Sequence, residues 1–277
     1  MDALSLSFSR IARYAPSFRT QIISKITSFY LFIYFSHLLT LKEVMIKKST
    51  LERIIGDDLS EMWNALRPEE KRIITENFKY EQYKKNQIIY AEKETPENLY
   101  CLLNGKVKLY KSGIGDRVQI LRLYRPVQYF GYRAYFAREP YVSTAAAFEP
   151  SVIGIIPMKV VEDLVRQNND LAMFFIHELS RNLGGSDTKI INLTQKHIRG
   201  RLAESLLILA DNYGYEDDNS TLKIYMSRED LANLSNMTTS NAIRTLTTFV
   251  TEKLILVDGR RIKIINEPQL RKISKFG

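Results

Sequence analysis

The spacing of apolar residues changes character twice along this chain. Over residues 49–80 it is helical: Leu51, Ile54, Ile55 and Leu59 share a face, and Arg67-Pro68-Glu69-Glu70 is a helix start. From 81 to 157 it becomes short β-rich runs: Gln87–Tyr90, Leu99–Leu103, Lys106–Tyr110, Val118–Leu123 and Val152–Ile156. Turn signals separate them at 94–98, 104–105 and 113–116, and Asn104-Gly105 predicts a hairpin because both residues tolerate φ > 0. Closely spaced strands of this kind predict a small barrel or sandwich.

After Pro157 the period is helical again. A short helix is expected over Met158–Asp170, and a long one from Leu171. Along the long one Ala172, Ile176, Leu179, Leu183, Ser186, Ile190, Leu193 and His197 alternate at spacings of four and three, a heptad stripe. Such a stripe fits either a helix lying on its own barrel or a two-chain coiled coil. Residues 198–213 form a further amphipathic helix, and 221–226 read as a strand. Ser227 can cap a helix that starts with Arg228, Glu229 and Asp230. A second helix is expected over 239–252, with Ala242, Ile243, Leu246, Phe249 and Val250 on its apolar face. A hairpin follows, turning at Asp258-Gly259.

Helix, tight turn, helix and β-hairpin predict a winged helix-turn-helix, whose second helix can lie in a DNA major groove. Thr238, Thr239, Ser240 and Asn241 cluster short donors and acceptors at the start of that helix. Arg244 lies one turn on, suited to a guanine or a phosphate. Ser227 is a further candidate contact, and Arg260, Arg261 and Lys263 on the wing form a candidate backbone clamp.

The first 44 residues differ from the rest. Their uncharged window, Ile26–Leu41, is 16 residues long, short of the ~20 that span a bilayer. Met45 opens Met-Ile-Lys-Lys-Ser, which reads as a translation start, so 1–44 is set apart as a doubtful extension and reads as mis-assigned upstream sequence. Competing readings are a surface-lying helix and a membrane-attached sensor anchored by residues 20–41. The remaining expected divisions are 45–157, an effector domain; 158–197, a linker and dimerisation helix; and 198–277, the DNA-binding domain.

Composition is that of an ordinary globular chain, 45% apolar and 26% charged, which excludes collagen, low complexity and wholesale disorder. The net charge of +9 favours a polyanionic partner. Residues 227–277 hold nine basic and five acidic residues, so much of the excess falls on the predicted groove-facing elements. The single cysteine, Cys101, cannot form an internal disulfide or hold an iron–sulfur cluster alone, and it reads as a small buried hydrophobe in a reduced cytoplasm. His37, His177 and His197 are far apart, and no metal site is expected. No nucleophile–base pair or phosphate loop is present, so an enzyme is not expected.

The order of these parts resembles the cyclic-AMP receptor protein / fumarate–nitrate regulator (CRP/FNR) family of bacterial transcription factors. The resemblance covers about residues 50–270. It rests on Asn98-Leu99-Tyr100-Cys101-Leu102-Leu103-Asn104-Gly105-Lys106-Val107, on Gln128-Tyr129-Phe130-Gly131, and on Ser227-Arg228-Glu229-Asp230-Leu231-Ala232 through Thr251-Glu252-Lys253-Leu254-Ile255. It implies an α+β chain: a cyclic-nucleotide-binding-like β-roll (jelly-roll) barrel, a long dimerisation helix and a C-terminal winged helix-turn-helix. It also implies a homodimer on palindromic double-stranded DNA, contact with RNA polymerase, and a small-molecule effector. The dimer helix would use Ile176, Leu179, Leu183, Ile190 and Leu193. The effector pocket would involve Gly131, Tyr132, Arg133, Val142, Ser143, Ser186 and Asp187.

Several positions depart from the family pattern. Cyclic-nucleotide binders of the family carry Gly-Glu where this chain has Gly131-Tyr132, and Arg-Ser or Arg-Thr where it has Val142-Ser143. Without the acid for the ribose and the cation for the phosphate, cyclic AMP is not expected. Arg133 and Arg138 are the nearby cations. The iron–sulfur sensors need several cysteines. The frequent Ser-Arg-Glu-Thr of the recognition helix is Thr238-Thr239-Ser240-Asn241 here, with Arg244 retained.

Overall fold

The computed structural model describes residues 60–276 apart from 114 and 116. The expectations for 49–59 and for the 1–44 extension, anchor included, lie outside the described residues.

Helices α1 (Ser60–Asn64) and α2 (Pro68–Asn77) come first. Glu70 closes the start of α2 by accepting the Arg67 backbone N–H at 2.7 Å. The same buried carboxylate accepts the Asn168 amide at 2.6 Å. Asn168 in turn caps the long helix, its Oδ1 accepting from the Leu171 N–H at 3.1 Å. The two helical regions are thus joined through one buried polar pair.

Among the described residues eight strands follow: β1 (Lys79–Tyr83), β2 (Ile88–Tyr90), β3 (Asn98–Asn104), β4 (Val107–Ser112), β5 (Val118–Tyr124), β6 (Tyr129–Phe130), β7 (Thr144–Ala147) and β8 (Ser151–Pro157). A short helix, α3 (Tyr132–Ala137), lies between β6 and β7. The strands form two antiparallel four-stranded sheets, ordered β1-β8-β3-β6 and β2-β7-β4-β5. Leu102, Val107, Phe130, Ala145 and Ile153 are buried together from both sheets. Full burial of each large side chain contributes roughly 1.5–3 kcal/mol. Cys101 is buried in β3, as expected of a small hydrophobe.

The expected hairpin at Asn104-Gly105 is not one. β3 pairs with β8 and β6, whereas β4 pairs with β5 and β7, so this turn carries the chain from one sheet to the other. Gly105 is required there: its φ is +89°, and a Cβ would stand 2.5 Å from the Pro150 carbonyl oxygen. The hairpin in this region joins β4 to β5, closed by the Gly113 N–H donating to Arg117 O at 2.9 Å.

Next come α4 (Met158–Val165), α5 (Asn169–Gln195) and α6 (Ile198–Tyr213). The Asn168 cap moves the start of the long helix to Asn169. The helix stops at Gln195, because Lys196 and His197 are extended; His197 therefore precedes α6 rather than ending the heptad stripe.

The C-terminal part comprises α7 (Arg228–Leu234), α8 (Thr239–Thr251), a hairpin of β9 (Ile255–Asp258) and β10 (Arg261–Ile264), and α9 (Glu267–Phe276). Residues 221–226 are not a strand. They hold only isolated bridges, Tyr215 with Leu222 and Thr221 with Lys263. The unanticipated α9 buries Leu270 and Ile273. They join Leu202, Leu206, Leu231, Phe249 and Ile262 in one core.

Candidate functional site

The turn between α7 and α8 is made by Asn236 at φ +51°, a left-handed conformation that asparagine tolerates better than most residues. Ser227 caps α7: its Oγ accepts the Asp230 N–H at 3.0 Å and donates to Asp230 Oδ2 at 2.6 Å. Its hydroxyl proton is thereby committed inside the domain. Asp230 also takes Lys108 Nζ of β4 at 3.4 Å, a link from barrel to helix pair.

Thr238 caps α8, its Oγ1 accepting the Asn241 N–H at 3.3 Å. Thr238, Thr239, Ser240 and Arg244 are exposed and Asn241 is half-buried. The core side of α8 is Ala242, Leu246 and Phe249. Ile243 and Val250, expected on that side, face outward, Ile243 at 47% exposure. Ile243 lies three residues from Ser240 and four from Thr239, so the outward face of α8 combines hydroxyls, one arginine and one branched apolar side chain.

The wing holds its three cations differently. Arg260 is exposed in the two-residue turn and forms no ion pair with the described residues. Arg261 lies over the Tyr225 ring, 5.5 Å from its centroid. Lys263 pairs with Asp218 Oδ2 at 3.2 Å. Hydrogen bonds from Thr221, together with Ser220 and Lys263, hold the Asp218 carboxyl well below the usual carboxylate range.

The barrel encloses a cavity of about 380 Å³ against α5. Gly131, Tyr132, Arg133, Val142, Ser143 and Ser186 all line it; Asp187 does not, being exposed on another face of α5. Gly131 has φ +93°, and a Cβ there would meet the Tyr100 ring at 2.8 Å. Tyr132 is buried, and its hydroxyl accepts the Asn182 amide at 3.0 Å. Burial pushes the Tyr132 phenol up, well clear of ionisation near neutrality. Arg133 is exposed and pairs with Glu139 at 3.5 Å. Arg138 does not line the cavity.

Aromatic rings dominate the walls. Tyr90 and Tyr141 stack at 3.7 Å, and Tyr124 stacks on Phe130 at 5.0 Å. Among the described residues none that lines the cavity is acidic. Its inward cation is Arg122 of β5, which sequence reasoning missed. Arg122 donates to Asn182 through both Oδ1 and the backbone O, the latter at 2.9 Å, and to Ser186 Oγ at 3.2 Å. Its only sequence signal is a cation inside an otherwise apolar β run.

Along α5, Ile176, Leu183 and Ile190 lie seven residues apart and are 51%, 65% and 60% exposed. Leu179 and Leu193 are half-buried. Ile176, Leu183 and Ile190 are thus largely uncovered within one chain, while Leu179, Leu183, Ser186 and Leu193 of the same stripe border the cavities that α5 shares with the barrel. Among the described residues no helix is long and apolar enough to cross a membrane, and no group of three His, Cys, Asp or Glu could hold a metal ion.

Residues 80–168 match the cyclic nucleotide-binding domain family, and residues 200–273 match the Crp-like helix-turn-helix domain. The chain belongs to the CRP/FNR family. It is therefore a transcription regulator with a DNA-binding helix-turn-helix domain, from a family of regulators rather than enzymes. Among CRP/FNR relatives it is 19% identical to the CRP-like cAMP-activated global transcriptional regulator of Mycobacterium tuberculosis (strain CDC 1551 / Oshkosh). That match covers 77% of this chain and 96% of the relative. It is 24% identical to the fumarate and nitrate reduction regulatory protein of Vibrio cholerae, covering 69% and 76%. Its fold is similar to that of FixK2 from Bradyrhizobium japonicum, with a TM-score of 0.65 at 22% identity over 71% of this chain and 97% of that one.

Proposed function

We propose that this CRP/FNR protein acts in the cytoplasm as a homodimer that reads a palindromic DNA site through α8 and answers to a small-molecule effector. The observation that carries the reading is the outward face of α8. Its first turn is exposed and polar, while the opposite side is fixed by Ala242, Leu246 and Phe249. A helix held this way presents side chains and N-terminal amides to base edges and phosphates. Thr239, Ser240, Asn241 and Arg244 are the proposed base readers. Thr238 and Arg260 are proposed phosphate contacts. Ile243 adds a surface suited to a thymine methyl group. Ser227 serves mainly as a cap, and Arg261 and Lys263 shape the wing through Tyr225 and Asp218.

The uncovered heptad of Ile176, Leu183 and Ile190 supports a symmetric α5–α5 seam. Two recognition helices related by such a seam read half-sites about one DNA turn apart. Contact with RNA polymerase follows from this role in transcription.

For the barrel we propose an effector other than cyclic AMP. Tyr132 stands where a ribose-binding acid would be, and Val142 replaces the phosphate-binding arginine. An aromatic cavity with Arg122 as its inward cation favours a compact, largely apolar ligand with one polar end. Selection from a random duplex library tests the DNA reading. Enrichment of a two-fold symmetric motif by the dimer is expected. A dimer that enriches no motif, with a metabolite extract present, refutes sequence-specific recognition.

A further inference from the structure

A second cavity, of about 500 Å³, lies where β5, α5, α6 and α7 meet, and its lining joins barrel, long helix and DNA-binding domain. Three cations reach it: Arg122, Lys189 and Arg201. None forms an ion pair within 4.0 Å among the described residues. Lys189 Nζ donates only to backbone carbonyls, Ile120 O at 2.9 Å and Leu121 O at 3.1 Å. Arg122 meets only the neutral groups of Asn182 and Ser186. Arg201 donates through one terminal nitrogen to Leu193 O at 3.3 Å, and its Nε is buried with no hydrogen-bond partner.

Two acids line the same cavity, and neither pairs with these three cations within 4.0 Å. Glu204 accepts Lys196 at 3.2 Å and the Asn192 amide at 2.5 Å. Glu178 pairs with Arg181 at 2.9 Å. Burial and the neighbouring Arg122 push the Lys189 ammonium down to about 8, with Glu204 offsetting this in part. Unneutralised cations inside a protein are costly, and an oxyanion placed among them relieves that cost with charge-assisted hydrogen bonds. Leu123, Ile208 and Leu234 supply apolar wall.

We propose that this junction is a binding site for a small organic oxyanion, its carboxylate or phosphate held by Lys189, Arg122 and Arg201 and its carbon skeleton against Ile208 and Leu234. The site is separate from the barrel effector reading, although Arg122 borders both cavities.

The full chain and three variants are melted in sodium chloride, and then at equal ionic strength in sodium phosphate or sodium citrate. Lys189→Met removes the central cation at similar volume. Ile208→Trp narrows the cavity from a partly exposed position. Ser143→Leu fills the barrel cavity alone. A site tenfold saturated by its probe should raise the wild-type Tm by about 3–5 °C beyond the shift shared by all four proteins. That specific shift should persist in Ser143→Leu, vanish in Lys189→Met and shrink in Ile208→Trp. Phosphate and citrate responses separate the phosphate and carboxylate forms of the ligand. Equal shifts in the wild type, Lys189→Met and Ile208→Trp, or no shift with either probe, overturn the proposal. A shift lost only in Ser143→Leu overturns it too, by assigning the anion to the barrel and leaving the barrel reading intact.

Discussion

Truncating Leu183 to alanine should weaken the dimer while leaving the protomer nearly unchanged. Full burial of a leucine is worth roughly 1.5–3 kcal/mol. In one chain Leu183 is 65% exposed, so a partner can cover about two-thirds of that value, ~1–2 kcal/mol per protomer. A two-fold seam counts the residue twice, and alanine keeps a small share, which leaves ~2–3 kcal/mol lost per dimer. At ~1.4 kcal/mol per tenfold, the dissociation constant should rise by roughly 30- to 150-fold. Sedimentation equilibrium across a concentration series measures this directly. Thermal unfolding under conditions where both proteins are monomeric should differ by less than about 1 kcal/mol, because the lost carbons are already wet. A dimer constant within threefold of the wild type, or a wild type that binds its DNA site as a monomer, refutes the α5 seam.

The remaining expectations concern the groove-facing helix, the core and pH. Arg244→Ala should reduce affinity for the selected site by ~1–3 kcal/mol and blur preference at one base position, whereas Arg260→Ala should weaken all duplexes alike and lower the log–log salt slope by about 0.9; titrations at several salt concentrations distinguish the two. Ser235→Ala removes the 2.8 Å hydrogen bond to buried Ser205 and should destabilise the chain by ~1–3 kcal/mol, read as a shift in denaturant midpoint at constant slope. Lys189 has a folded pKa of about 8, below its ordinary 10.5. Between these values the unfolded chain holds more protons, so stability from this group rises with pH, by at most about 1.4 kcal/mol per unit. Lys189→Met should flatten that rise between pH 7.5 and 9.5 and should be no less stable at pH 7. An unchanged pH profile in denaturant titrations would contradict the burial of this ammonium.

The architecture was legible because its signals are local. Pro68 with two acids, the 198–213 periodicity and Ser227 before Arg228-Glu229-Asp230 each specify an element without reference to distant residues. Strand partnership was not local. Asn104-Gly105 announces a reversal, but the neighbours of β3 and β4 are set by how Leu102 and Val107 enter a shared core from different sheets. β7 escaped notice because Thr144-Ala145-Ala146-Ala147 lacks the branched and aromatic residues that mark most strands. In α8 the apolar spacing put Ile243 and Val250 with the core, yet Ala242, Leu246 and Phe249 fill it. Arg122 and Lys189 come together only because β5 lies against α5, more than 60 residues later in the chain.

Helix α5 runs 27 residues without interruption, about 40 Å at 1.5 Å per residue. It is gripped near its middle by Arg122 of β5, its own Lys189 donates back to Ile120 O of that strand, and it ends at the extended pair Lys196-His197 that leads into the DNA-binding domain. A rod of that length has mechanical advantage. About 20 Å of the rod lies beyond Asn182, so a tilt of about 10° about that point displaces its far end by about 3.5 Å, close to the ~3.4 Å rise of one base pair. In the proposed dimer, small adjustments around Asn182 would therefore move the two recognition helices in or out of phase with the DNA helix.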